Sequence, residues 1–340
     1  MDLSLLKRLS ETPGIPGWED RVRALVEGEL SGLVDDVRQD ALGNLIAHRR
    51  GEGPRVMVAA HLDEIGFYVK YIDDHGFLRL QPVGGFDARN LFARRVVVHG
   101  SSGDLPGLLN PSGRPVHLST PEERKKVPEL REFFVDLGLS PEEVRSRVRV
   151  GDPVTLWQEA SEVGELFSGK AMDDRASVFV LLETLRALRG APLAFDLYAV
   201  FTTQEEVGLR GALTSAFGVE PEIGVALDVT LAVDIPGGAP DEAVSQLGKG
   251  VGIKILDNSM ISHRGLVRTF VELAERHSLP YQLEVLPLGG TDGGAIQRSR
   301  LGVPTITLSV PTRYIHTVTE TVHRKDLEAE ITLLQAYLRG

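Results

Sequence analysis

The run Val56–Ala60 (VMVAA) is apolar at every position. A strand with one solvated face alternates polar and apolar side chains, so an uninterrupted run points to a central strand covered on both faces. Strand-like apolar segments recur at Ala194–Thr202, Ile223–Leu227 and Thr305–Ser309, with helical patterns at Asp174–Leu188, Gly265–His277 and Asp326–Leu338. This alternation is that of a three-layer α/β/α domain. Upstream, residues 2–11 and 19–31 read as helices, the second with Val22, Leu25, Val26 and Leu30 at helical spacing. Val37–Gln39 and Asn44–His48 read as strands parted by a turn at Leu42–Asn44.

From about residue 67 the character changes. Short β-like segments (Phe67–Ile72, Phe77–Pro82, Arg95–His99, Pro153–Trp157) alternate with Gly- and Asp-rich turns around a charged, helix-like stretch, Pro121–Val148. We expect one discontinuous catalytic domain, residues 1–67 and 165–340, interrupted by a small β-rich domain at 68–164. A chain of 340 residues suits that division.

Composition narrows the chemistry. The formal charge of −11 argues against a general nucleic-acid or anionic-membrane binder. With no cysteine, thiolate metal sites and a Cys nucleophile are excluded, leaving His, Asp and Glu as metal ligands. The first residues lack a basic start followed by a long apolar stretch, and no apolar run reaches the ~18–20 residues of a membrane span. A cytoplasmic protein is the expectation.

Five segments place His, Asp or Glu just after a strand-like run or opening a helix: His61-Leu62-Asp63, Asp173-Asp174, Glu205-Glu206, Asp228 and His316. Open α/β sheets bind ligands beyond the carboxyl ends of their strands, so these positions can converge. His61 and Asp63 fall on one side of an extended segment, where the carboxylate could fix the imidazole tautomer. An unrelated acidic neighbour is the plain alternative. Asp173-Asp174 opens a helix, and a helix N-cap accounts for one of the two, which leaves the other to bridge two cations. Of Glu205-Glu206, neighbours pointing apart, one could bind metal while the other faces a water whose pKa the metal lowers. Two His and several carboxylates without sulfur suit Zn, Co or Mn, and two ions rather than one.

The segments AHLDEIG (60–66), KAMDDR (170–175), TQEEVGLRGA (203–212) and YIH (314–316) fall in one order. With Gly84–Asp87, Arg149–Asp152, Asp228 through Asp234–Gly237 and Gly289–Asp292, that set resembles metallopeptidase family 42, the glutamyl and tetrahedral aminopeptidases. The resemblance spans nearly the whole chain and implies a zinc-peptidase-like catalytic domain. It implies that Asp173 bridges two divalent ions, Zn or Co, with His61 and Asp228 completing one site and Glu206 and His316 the other. Glu205 would be the general base and Asp63 the partner of His61. Thr291 and Asp292 would line the substrate cleft, unless their loop is only a tight turn. Short peptides would lose one N-terminal residue at a time. The inserted domain would build a homo-oligomer, from dimers up to a dodecamer, although Leu105–Ser119 departs from the family's pattern.

Three other readings are open to such a chain. A metal-dependent deacylase or carboxypeptidase could use the same domain, but its substrate-recognising Arg is not evident. A glycosidase needs two acids flanking a sugar, and two strand-end His argue against that. A non-catalytic relative would be expected to have lost Glu205 or a ligand.

Overall fold

Residues 1–340 are described in a computed structural model, the side chain of Pro240 excepted. The apolar run becomes the strand Arg55–His61, in the middle of an 11-stranded sheet. It pairs in parallel with Asp196–Thr202 on one side and Ile223–Leu231 on the other, and Thr305–Arg313 runs parallel beyond the latter. The register sets Thr202 opposite His61 and Asp228 opposite Ser309, so the carboxyl ends of these strands lie along one edge.

The side chains explain why the strand had to be apolar throughout. Val56, Val58 and Ala60 join the larger core, packed with Phe179, Leu182, Leu334 and Leu338 from the helices Met172–Ala187 and Arg324–Arg339. Met57 and Ala59, one position out of phase, join a second core with Ala212 and Ala216 of helix Arg210–Val219 and Ile296 of helix Asp292–Gln297. Period-two geometry thus sends alternate residues into two apolar layers. Each fully buried Val or Met contributes roughly 1.5–3 kcal/mol against exposure.

The β-rich region is a closed six-stranded barrel. Its strands are Gly66–Ile72, Leu78–Val83, Arg94–Gly100, Gly103–Pro111, Phe133–Asp136 and Pro153–Leu156. They enclose their own core around Phe67, Val69, Leu78, Val98 and Phe133. Closure leaves no free sheet edge. The expected helix across Pro121–Val148 is not there as one element. Helices Pro121–Lys125 and Pro141–Arg147 flank a barrel strand that pairs with Leu78–Val83 and Gly103–Pro111. Pro128 interrupts the helical pattern, and Phe133-Phe134-Val135 gains more from the barrel core than charged neighbours gain from a helix.

Near the sheet's carboxyl edge, Lys170 reaches both carboxylate oxygens of buried Glu64 (2.6 and 2.7 Å), and Arg175, fully buried, donates to the carbonyls of Leu62 (2.7 Å) and Thr12 (2.8 Å). These bonds tie the N-terminal helix Ser4–Glu11 to the start of helix Met172–Ala187. Among the described residues, no helix is long and apolar enough to cross a membrane.

Candidate metal centre

At the sheet's carboxyl edge, residues scattered from position 61 to 316 meet. Asp173 presents its two oxygens to two different imidazoles: Oδ1 lies 3.1 Å from His61 Nε2, and Oδ2 lies 3.3 Å from His316 Nε2. Glu206 Oε1 stands 3.3 Å from the same His316 nitrogen. Glu205 Oε2 is 3.9 Å from His61 Nε2. Two groups offer ligand atoms within 4.8 Å of one another: His61, Glu205 and Asp228, and Asp173, Glu206 and His316. Glu205 therefore competes with Asp173 for the place beside His61 and Asp228. The shorter His61 contact belongs to Asp173, which also reaches the second group, and Glu205 stands further back.

The backbone around these residues is unusually fixed. Ala171, Gln204 and His316 all adopt left-handed conformations (φ 56°, 56° and 63°), each costing a non-glycine residue of order 1–3 kcal/mol. Such strain persists where the surroundings over-determine it. Here carboxylates hold the main chain. Asp63 accepts the N–H of Glu205 (3.0 Å) and of Glu206 (3.1 Å), aiming the two Glu side chains. Glu320 accepts the N–H of Asp173 (3.0 Å) and of His316 (2.6 Å). From the barrel side, Gly85 passes so close that a Cβ there would lie 3.1 Å from His316 Nδ1.

Several of these positions differ from what the spacing suggested. The His61 ring is oriented by the backbone carbonyl of Asp63 (3.0 Å from Nδ1), while the Asp63 carboxylate is 3.6 Å away and occupied with Glu205 and Glu206. Asp174 was expected to cap its helix, but its carboxylate accepts the His61 N–H (3.1 Å). Asp228 does not end its strand, which runs on to Leu231. Thr291 lines the cavity, whereas Asp292 lies buried beneath it and accepts the Thr202 hydroxyl. Glu320 was missed altogether. Its only signal was an acid in the middle of a short β-branched stretch, Val318–Val322 (VTETV).

The electrostatics are those of a site built around added positive charge. Burial pushes the carboxyls of Glu205 and Asp228 well above their usual range, and neighbouring acids add to this. Burial disfavours charge on His61 too, but Glu205, Asp173, Asp63 and Asp174 outweigh it and hold the imidazolium well above its ordinary pKa. His316 is likewise pushed up to about 12: burial opposes the charge, and Asp173 and Glu206 overcome it. Buried carboxyls crowded in this way either take up protons or are held charged by cations, and divalent ions are one such partner. Glu206 Oε1 is buried and faces His316 Nε2 at 3.3 Å, with no other hydrogen-bond partner among the described residues. Oxygen and imidazole donors in two adjacent groups, with Asp173 Oδ1 also 3.1 Å from His61, suit divalent ions of borderline hardness.

An α/β/α sheet carrying two groups of candidate metal ligands at its carboxyl edge is the arrangement of a metal-dependent hydrolase. The sequence pattern of the M42 glutamyl aminopeptidase family matches residues 43–333. The chain belongs to that family. It is 34% identical to the lysyl aminopeptidase of Pyrococcus furiosus over 349 residues, covering 99% of this chain and 97% of that protein. It superposes on aminopeptidase APDkam598 of the archaeon Desulfurococcus kamchatkensis with a TM-score of 0.94 at 39% identity, over 99% and 94% of the two chains. The TET1 peptidase of Pyrococcus horikoshii, described as able to assemble into a tetrahedron or a large octahedral shell, gives 0.89 at 34% identity, over 99% and 98%.

Proposed function

We propose that the chain is a metal-dependent aminopeptidase that removes N-terminal residues from short peptides with two divalent ions, Zn or Co, held by His61, Asp173, Glu206, Asp228 and His316. The observation that carries this reading is Asp173, whose two carboxylate oxygens address two separate donor groups at 3.1 and 3.3 Å. Bound there, the ions would polarise the scissile carbonyl and acidify water. The chain's own residues do the remainder. Glu205, buried beside His61 with no backbone contact of its carboxylate, is positioned to take a proton from water and return it to the leaving amine. Asp63 holds Glu205 and Glu206 by their N–H groups, so base and ligand keep a fixed spacing. The concentration of carboxylates at the cavity floor suits a substrate's free ammonium group, which would limit cleavage to the first residue.

The working compartment in this proposal is the cytoplasm. Assembly into a homo-oligomer through the barrel is a further part of it, supported by the tetrahedral assembly described for the Pyrococcus horikoshii relative.

Hydrolysis of peptides with free and with N-acetylated amino termini, before and after chelation, tests the reading. Free-amine peptides should be cleaved, acetylated ones should not, and chelator should abolish turnover until metal is restored. Preference for the acetylated series would favour a deacylase instead. Glu320 supplies a second check. Glu320→Ala releases the N–H groups of Asp173 and His316 and is expected to weaken metal retention by about 10–100-fold. Competition with a chromogenic chelator measures this, and an unchanged affinity would remove Glu320 from the account.

A further inference from the structure

Beside the donor cluster lies a cavity of about 490 Å³. Beyond the cluster itself, its apolar lining is Leu209, Val229, Leu231, Leu286, Leu288 and Ile315, beside the uncharged Thr230, Thr291 and three glycines. Leu231 is 43% exposed and Leu288 76% exposed, although large apolar side chains are costly to leave in water. Among the residues lining the cavity, every charged one belongs to the donor cluster. The nearest charged pair along the chain, Asp234 with Arg313, is closed on itself by a bond of 3.0 Å and its fellow. Neither residue lines the cavity.

We propose that this wall receives the side chain of the residue to be released, and that it selects uncharged, branched or straight apolar residues of leucine or methionine size. The proposal rests on the aminopeptidase reading for its chemistry and names the substrate class of that same site. The physical case is one of unmatched charge. A lysine ammonium or a glutamate carboxylate seated against these aliphatic side chains loses water and gains no partner. The cluster's carboxylates do not serve as that partner, because metal ions and the substrate's own amine engage them at the cavity floor. An aliphatic side chain, by contrast, covers the exposed faces of Leu231 and Leu288. This sets the chain apart from the lysyl specificity in the name of its Pyrococcus furiosus relative and from the glutamyl specificity in the name of its family.

The test is a panel of chromogenic aminoacyl amides (leucine, methionine, alanine, lysine, glutamate) on the metal-loaded protein, beside calorimetric binding of the free amino acids, which require no turnover. The expected kcat/KM for leucine exceeds those for alanine, lysine and glutamate by at least about tenfold, since even a single methylene is worth roughly 10-fold or more in an apolar pocket. Free leucine should bind more tightly than free lysine or glutamate in the same order. Leu231→Glu, at a position exposed enough to keep the fold, should raise the lysine-to-leucine ratio about fivefold or more. Lysine or glutamate leading in both assays overturns the proposal. Turnover failing on every substrate while leucine still leads in binding overturns the hydrolase reading and leaves the pocket assignment standing. Absence of both turnover and a binding order overturns both.

Discussion

Glu205→Gln is expected to lower kcat by about 10²–10⁴-fold while leaving metal content unchanged. The substitution keeps the shape of the side chain and removes its capacity to take a proton. Glu205 lies 3.9 Å from His61, against 3.1 Å for Asp173, and the proposed function accordingly assigns the ligand place to Asp173 and the base to Glu205. The same change distinguishes the competing arrangement, in which Glu205 joins His61 and Asp228 as a ligand. In that case Glu205→Gln would lose metal along with activity. Metal analysis beside single-turnover kinetics separates the two outcomes.

Asp173→Ala should be more severe. In the proposed site one carboxylate serves both ions, so its removal would take a ligand from each at once. At about 3 kcal/mol of transition-state stabilisation from each ion, the combined loss is roughly 10⁴-fold or more in turnover. Substituting Asp228 or Glu206 instead removes a ligand from one ion only, and some bound metal should survive. The contrast between Asp173 and these two is the signature of a bridge.

Much of this was readable from the chain, and the failures have physical causes. The apolar run at Val56–Ala60 announced a strand covered on both faces because period two leaves no polar phase to expose. His61, Asp173, Glu205-Glu206 and His316 each had a plain local explanation, and they stood out as a set, at strand ends and a helix start in the order of a known family. Asp228 lies within its strand rather than at the expected end, since a strand's length depends on pairing partners far away in sequence. The charged stretch at Pro121–Val148 looked helical by composition, yet Phe133–Asp136 is claimed by the barrel, a tertiary demand no local pattern carries. Asp63 and Glu320 act on backbone N–H groups, and those bonds are specified by chain path rather than residue type. The apolar cavity wall was equally hidden, because Leu209, Leu231, Leu286 and Ile315 come from four separate segments.

The central claim is that Asp173 joins two metal ions in one site. Metal stoichiometry measured by elemental analysis on wild type and Asp173→Ala, each dialysed free of metal and then titrated with Zn or Co, tests it most directly. The account predicts two tightly bound ions per wild-type chain, with activity returning as they bind, and neither ion retained tightly by Asp173→Ala. Two ions held tightly by Asp173→Ala, or wild-type activity that saturates at one ion, would contradict it.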